Sequence, residues 1–352
     1  MTKRYKLAVL IGRFQPLHEG HLQNILDAFE KHADLVQICI GSSFQPRTPK
    51  NPFTFAERKE MIDHVIRWNY EDLTGSYVVS PLRDYKYNNT QWIAQVQDTI
   101  KKNWPGIDDK DICIIGYDKD DSSWYNHAFP AWNFVPAAPF TLNGNKPIDA
   151  TKIRELYFEG HFPYLQDIVV NPEFLFDEFA KTPEYKLLIE EYEHIKNYKK
   201  AWEIAPYPPT FFCTDAVVLQ GGHILLIQRA ASPGKGLWAL PGGFLNQKEK
   251  AFDGCLRELV EETRIKVPEV IMKKALVHEQ LFDDPGRSLR GRTLTQAFFF
   301  QLDGGDGKLP KVKPRDDAKA AKWFKVSDLP LMSDQLFEDH AHIINTMLGR
   351  AR

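Results

Sequence analysis

Cysteine is scarce in this chain: Cys39, Cys113, Cys213 and Cys255 are the only four in 352 residues, far apart and set mostly in apolar runs. That spacing gives neither a C-x-x-C pair nor a disulfide framework, so the thiols are expected to be core residues of a protein in a reducing compartment. Charge of one sign is lacking too. With 45 Lys and Arg against 47 Asp and Glu the net charge is −2, which supplies no field to draw in nucleic acid or an anionic membrane and points to small-molecule partners. No apolar run reaches transmembrane length, and Met1 to Arg4 leads into a strand without the core of a signal peptide. A soluble, cytoplasmic protein is expected. Internal repeats and low-complexity tracts are missing as well. A homo-oligomer is neither indicated nor excluded.

The length exceeds one ordinary core and suggests two or three domains. The first part alternates short apolar runs with amphipathic stretches, the pattern of an α/β domain with a parallel, Rossmann-like sheet under helices. Strands are expected at Leu7 to Ile11, Leu35 to Ile40, Tyr77 to Val79, Ile112 to Ile115 and Trp132 to Val135, with helices near His21 to Lys31, Phe55 to Trp68, Gln91 to Asn103 and after Ala150. Ligands of such sheets bind at the carboxyl ends of the strands. The turns at Gly12, Gly41 and Gly116 each follow a strand and should meet on one edge. From Pro183 to Trp202 aromatic and aliphatic residues recur at helical spacing, and Pro206-Tyr207-Pro208-Pro209 ends that helix. The expected division is therefore a domain at 1–182, a connecting helix at 183–205 and a second domain at 206–352. There, β-rich segments at Phe211 to Leu219 and His223 to Gln228 precede a helix at Ala251 to Thr263, a strand at Leu294 to Leu302 and a last helix near Gln335 to Leu348.

The stretch Gly12-Arg13-Phe14-Gln15-Pro16-Leu17-His18-Glu19-Gly20-His21 turns the first strand into a helix. A glycine turn and a helix N-terminus aim free backbone N–H groups and the positive end of the helix dipole at one point, and His18 and His21 should share a helix face toward it. Arg13 adds a cation. A second turn, Ile148-Asp149-Ala150-Thr151-Lys152-Ile153-Arg154, opens another helix, with the Thr151 hydroxyl near free N–H groups and Arg154 one turn on.

On these residues the chain resembles the H-x-G-H nucleotidyltransferases, most closely the nicotinamide mononucleotide (NMN) adenylyltransferases of the archaeal type. The resemblance runs from Lys6 to about Asp167. The G-R-F-Q-P-x-H-x-G-H signature is unbroken, Thr151-Lys152-Ile153-Arg154 is similar to the S/T-x-I/V-R motif, and Asn51-Pro52-Phe53-Thr54-Phe55-Ala56-Glu57-Arg58 and Asn89-Thr90-Gln91-Trp92 match two further segments. It implies attack of the NMN phosphate on the α-phosphorus of ATP, giving NAD and pyrophosphate by alignment and charge stabilisation, without a protein nucleophile. His18, His21, Arg13 and Arg154 are then the catalytic, triphosphate-binding groups, with Gly12, Gly116, Thr151 and Ile153 also at the ATP and Thr151 capping the second helix. Trp92 would stack on the nicotinamide ring, although a Trp at a helix start serves a core equally well. Asn89 and Lys50 are the other NMN candidates. No carboxylate cluster is seen in this part, so Mg²⁺ would travel on the ATP phosphates.

In the second part, Gly243-x5-Glu249-x7-Arg257-Glu258-Leu259-Val260-Glu261-Glu262-Thr263-Arg264-Ile265 resembles the Nudix box at every defined position but one, Arg264 standing where the family has Gly. Glu258, Glu261 and Glu262 fall on one helix face, and three carboxylates so close call for a hard cation, Mg²⁺ or Mn²⁺. The resemblance implies an α/β/α sandwich with a mixed sheet. It makes Glu258 and Glu262 metal ligands, Glu261 a ligand or base, Arg257 a brace for the carboxylates and the Gly242 carbonyl a further ligand. The flanking segments look like the ADP-ribose pyrophosphatase branch. Arg229, Arg287 and Arg292 are the substrate-phosphate candidates, and Asp283, Asp284 and Glu279 are unranked candidates for a general base.

Together the two resemblances are similar to the bacterial fusion of an NMN adenylyltransferase with an ADP-ribose-type Nudix hydrolase. Two other readings stay open. The adenylyl acceptor could be another phosphorylated compound, or the second part could sense a nucleotide without turning it over.

Overall fold

The apolar run at the start of the chain forms β1 (Tyr5–Gly12), the centre of a sheet in a computed structural model that describes residues 3–73, 75–117, 121–137, 141, 149–304 and 307–351. Ile148 of the second phosphate motif lies outside them. The partners of β1 are β2 (Ala33–Ile40), β3 (Tyr77–Pro81), β4 (Ile112–Gly116) and β5 (Asn133–Pro136). All pairs are parallel and the order is β3-β2-β1-β4-β5, a Rossmann-like arrangement whose order reverses between β1 and β4.

Among the described residues, four helices belong to this sheet: α1 (Glu19–Asp27), α2 (Phe55–Asn69), α3 (Asn89–Asn103) and α4 (Ala150–Phe158). The period of two along β1 and β4 sends Leu7, Val9, Ile112 and Ile114 to one face, where they pack with Val96 and Ile100 of α3 and with Phe129 and Trp132. Thr54 and Glu57 close a capping box that fixes where α2 begins. The carboxyl ends of β1, β2 and β4 lie on one edge, as expected: Gly12 pairs with Ile40, and Gly41 donates its N–H to the Gly12 carbonyl at 2.8 Å.

The chain divides into two units, Met1–Ile189 and Glu190–Arg352, and the division falls inside α5 (Pro183–Ala201), upstream of the proline run at 206–209. Side-chain contacts account for this. Tyr185 is buried and its hydroxyl donates to the Tyr157 carbonyl at 2.8 Å, inside the first unit. Just past the division, the Glu191 carboxylate accepts from Gly234 N–H at 2.8 Å, and the rings of Tyr198 and Trp202 meet Phe211 edge-on.

The second unit is built on a seven-stranded mixed sheet. Its path is β10 (Leu276–Phe282), β11 (Arg292–Gln301), β6 (Thr210–Gln220), β7 (His223–Arg229) and β12 (Ala318–Lys325), with β8 (Trp238–Ala239) on β7 and β9 (Gly242–Phe244) on β6. β6 and β11 run parallel and the other pairs antiparallel. Three helices complete it, α6 (Ala251–Thr263), α7 (Glu269–Ala275) and α8 (His340–Leu348). Cys255, Leu256 and Leu259 of α6 pack on Ala216, Val218, Leu225, Phe298 and Phe300 of the sheet. The alternate residues Val217, Leu226 and Phe299 are equally buried, so the sheet is covered on both faces. The four cysteines are free and buried, and burial raises every thiol pKa, that of Cys39 to about 12. Among the described residues no helix is long and apolar enough to cross a membrane.

Candidate active sites

The corner after β1 is tighter than its spacing suggested. Phe14 sits in the left-handed region at φ 50°, and its ring approaches Gly12 so closely that a Cβ there would lie 3.1 Å from it. His18 is not within α1 but caps it, in an extended conformation and without a side-chain cap bond. A shared helix face is therefore replaced by direct stacking: the His18 and His21 rings lie 3.7 Å apart at 25°. Among the described residues neither Nδ1 has a hydrogen-bond partner.

Burial lowers the His18 pKa to about 4, with the Arg154 charge adding to the effect. Burial, then His18 and Arg13, push that of His21 well below its usual value. Both rings are thus neutral hydrogen-bonding groups at physiological pH. An unfolded His titrates near its model value of 6.5, so the unfolded chain takes up protons first on acidification. Stability held by neutral His18 above about pH 6.5 is lost as pH falls toward 4, about 2 kcal/mol of it by pH 5. Urea unfolding at about pH 7.5 and 5 should show this loss, reduced in His18→Gln.

The second wall is α4. Asp149, not Thr151, is the N-cap, its carboxylate accepting from Thr151 N–H at 2.8 Å. The Thr151 hydroxyl instead accepts from Arg154 Nη2 at 3.3 Å, and Arg154 Nη1 donates to the Gln15 carbonyl at 2.8 Å. Arg154 is buried, and burial followed by Arg13 brings its pKa down to about 10, which leaves it cationic. Ile153 does not fit the expected ATP contact, because its side chain is buried and its N–H is bonded to the Asp149 carbonyl. Arg13 is exposed, close enough to lower His21 and Arg154 electrostatically.

One residue of the corner was not assigned a role from sequence. Arg58 is fully buried and faces carbonyls throughout: Nε donates to Thr54, Nη1 to Arg13 and Gly41, and Nη2 to Ser42, at 2.6 to 3.2 Å. It ties the turns after β1 and β2 to the start of α2.

On the acceptor side, Trp92 is half-buried and packs on the core beneath β1 and β4, its ring 5.4 Å from Trp124 and 5.8 Å from Tyr125. Asn89 is exposed at the start of α3, whose cap is Asn88. Lys50 is half-buried in the turn closed by Thr48 and Asn51.

In the second unit, Arg257 organises the acidic helix. It binds Glu249 through Nε and Nη2 at 3.0 and 2.6 Å, and through Nη1 it binds Glu258 and Glu261, both at 2.8 Å. Glu262 is buried and accepts from Gly242 N–H at 2.9 Å. The carboxylates share a helix face but do not converge: among the described residues no three His, Cys, Asp or Glu side chains come together to hold a metal. This differs from three carboxylates converging on one cation: Arg257 Nη1 holds Glu258 and Glu261 together, while the Gly242 amide holds Glu262 separately. The donor set still suits a hard cation. Burial and the charge of Glu258 push the Glu262 pKa up to about 8, and burial with two acidic neighbours raises that of Glu258, a surplus of negative charge that a cation would relieve.

Gly242 and Gly243 are dictated by close approach. A Cβ on Gly242 would overlap the Thr214 carbonyl oxygen, and one on Gly243 would lie 2.7 Å from Glu258 Oε1. Arg264 takes the left-handed conformation that glycine favours at a helix end, at φ 45° and ψ 36°. The departure from the box is thus absorbed at the helix end, as strain at one residue. Arg264→Gly should raise stability by about 1 kcal/mol, the left-handed penalty less the extra chain entropy, read as a higher urea midpoint at unchanged m.

The three candidate arginines separate. Arg287 is buried in a two-pronged pair with Asp339, at 3.0 and 2.9 Å, and holds the start of α8 rather than presenting a charge to a ligand. Arg229 is half-buried, stacks 4.2 Å over Phe337 and donates to the Pro233 carbonyl. Arg292 is tied to Asp283 through that residue's carbonyl and carboxylate. Sequence reasoning passed over Arg290, which lies over Phe244 at 5.1 Å and within 3.6 Å of Glu338. It also passed over the buried Asp215, which accepts from Thr295 at 2.6 Å and lies 3.9 Å from His340. Of the base candidates, Glu279 is exposed on β10 and Asp284 accepts from Gly286 N–H at 2.9 Å.

The parallel sheet with its histidine corner, and the mixed sheet with its acidic helix, define a nucleotidyltransferase unit joined to a Nudix unit. Family models agree: residues 9–135 match the cytidylyltransferase-like family and residues 211–347 the NUDIX domain. Over 98% of its length the chain is 35% identical to a bifunctional NMN adenylyltransferase/ADP ribose pyrophosphatase from Francisella tularensis, covering 99% of that chain with a TM-score of 0.89. It belongs to that bifunctional family. The same Francisella protein solved with AMP and a manganese ion gives a TM-score of 0.88. The halves also have relatives of their own. The first is 33% identical over 158 residues, 45% of this chain and 78% of the relative, to the nicotinamide/nicotinic acid mononucleotide adenylyltransferase of Acinetobacter baylyi. The second is 35% identical over 130 residues, 37% of this chain and 68% of the relative, to the ADP-ribose pyrophosphatase of Methanocaldococcus jannaschii.

Proposed function

We propose that the chain makes NAD in its first unit and cleaves ADP-ribose in its second. In the first reaction an NMN phosphate oxygen attacks the α-phosphorus of ATP, the bond to the bridging oxygen breaks, and pyrophosphate leaves. Arg13 and Arg154 offset the charge that grows on the phosphoryl oxygens and leaving group. His18 and His21, neutral and stacked, offer ring nitrogens that pair only when a ligand arrives. The histidine pair, whose Nδ1 atoms have no partner among the described residues, carries this reading beside two arginines, because such a corner fits an anion. Trp92, Asn89 and Lys50 remain the proposed acceptor contacts.

In the second reaction water attacks a phosphorus of the ADP-ribose diphosphate, giving AMP and ribose 5-phosphate. Glu258, Glu261 and Glu262 with the Gly242 carbonyl would hold Mg²⁺ or Mn²⁺, which would activate the water and neutralise the diphosphate. Arg257 orients the carboxylates, and Arg229 and Arg292 are the proposed substrate contacts. A cytoplasmic enzyme with nucleotide substrates and no nucleic-acid or membrane partner fits the balanced charge and the buried free thiols.

Two assays on the full chain test these reactions. ATP and NMN should yield NAD and pyrophosphate in equal amounts, and ADP-ribose with Mg²⁺ should yield AMP and ribose 5-phosphate. Absence of NAD would overturn the first reading. Stoichiometric binding of ADP-ribose without turnover would overturn the second in favour of a sensor.

A further inference from the structure

Asn126 is out of place as a core residue. It lies in the 3₁₀ turn Asp121–His127 that follows β4, is 2% exposed, and among the described residues neither its Nδ2 nor its Oδ1 has a hydrogen-bond partner. A buried amide left open at both ends loses its hydration with nothing in return, whereas an apolar residue of similar size would fill the space at no such cost. Its position suggests what the amide is kept for. It rests against Gly116 at the end of β4, where a Cβ would overlap the amide. β4 lies beside β1 where the strand order reverses, the place where sheets of this kind bind ligands. The adjacent Tyr125 donates its hydroxyl to the Ile11 carbonyl at 3.4 Å, and its ring packs with Trp124 on Trp92. The open donor–acceptor pair therefore lies at the end of β4, and its neighbour in the chain, Tyr125, packs on the aromatic group proposed for the nicotinamide ring.

We infer that Asn126 determines specificity by reading the carboxamide of the acceptor nucleotide, an inference that rests on the NMN reading above. Nδ2 donates to the carboxamide oxygen and Oδ1 accepts from the carboxamide N–H. A carboxylate in the same place offers Oδ1 no proton and sets oxygen against oxygen, so the amide mononucleotide is favoured over the acid. Adenine also presents a donor beside an acceptor, and the test separates the two sources.

kcat/KM is measured for NMN and for nicotinic acid mononucleotide, and KM for ATP, in the full-length wild type, Asn126→Leu and Asn126→Ser. The wild type should prefer NMN by at least about thirtyfold. Both variants should lose about that factor on NMN, chiefly through KM, while changing less than about threefold on the acid, so that the preference collapses. ADP-ribose hydrolysis in the same samples reports folding. A preserved preference, an equal loss on both mononucleotides or a raised KM for ATP alone overturns the inference, the last assigning the amide to adenine. A wild type that adenylylates neither mononucleotide but turns over another acceptor overturns the NMN reading itself.

Discussion

His18→Ala should lower NAD synthesis about a thousandfold and leave ADP-ribose hydrolysis within about twofold of wild type. The size follows from what the ring is placed to do. Its Nδ1 has no protein partner among the described residues and its neutral form is enforced by burial and by Arg154, so its hydrogen bond is free for the phosphate chain. Loss of one such preorganised donor costs about 3 to 4 kcal/mol at the transition state. His21 loses its stacked neighbour at 3.7 Å in the same variant, which places the effect at the upper end. The loss should fall on kcat more than on KM, since the charge to be stabilised grows during reaction. Hydrolysis, measured on the same sample, reports folding. A folded His18→Ala protein that had lost both activities would show that the two sites are not independent.

The converse is expected at Glu258→Gln: hydrolysis should fall roughly a thousandfold, equivalent to about 4 kcal/mol, with NAD synthesis unchanged. Glutamine keeps the carbonyl oxygen that Arg257 Nη1 binds at 2.8 Å, so the helix keeps its brace and only the negative charge is removed. The Mn²⁺ affinity of the second unit, followed by calorimetry, should drop with the activity. Hydrolysis surviving within tenfold would remove Glu258 from the metal set.

What the sequence disclosed was local and periodic. The five strands of the parallel sheet and α6 appear within a few residues of their expected places because apolar alternation and helical spacing are written in neighbouring residues. β12 escaped notice for the same reason. Ala318 to Lys325 are rich in Ala and Lys, poor strand formers, and only pairing with β7 makes them a strand. At the sites, motifs named the side chains but not their partners. The spacing of His18 and His21 suggested a common helix face, yet an extended cap residue stacks the rings instead. Thr151 looked like a cap because its hydroxyl suits one, but Asp149 two residues earlier takes the role. Arg287 looked like a phosphate ligand until the fold brought Asp339 to it across 52 residues. Arg58 ends the matched segment Asn51–Arg58, but nothing in that segment shows that it binds the carbonyls of Arg13, Gly41 and Ser42, and no local pattern marks Asn126.

Arg58 also sets a limit on how the first site can adapt. Its guanidinium is a buried cation surrounded by carbonyl dipoles of Arg13, Gly41, Ser42 and Thr54. If one of those turns swung away, it would strip solvation from a charge that water does not reach, so the three segments behave as a single rigid jaw. Give and take during nucleotide entry and release then belongs to the parts Arg58 does not hold, α4 and the turn that follows β4. Arg13 of the triphosphate corner stands in the fixed half, whereas Arg154 on α4 and the carboxamide reader stand in the half that Arg58 does not hold.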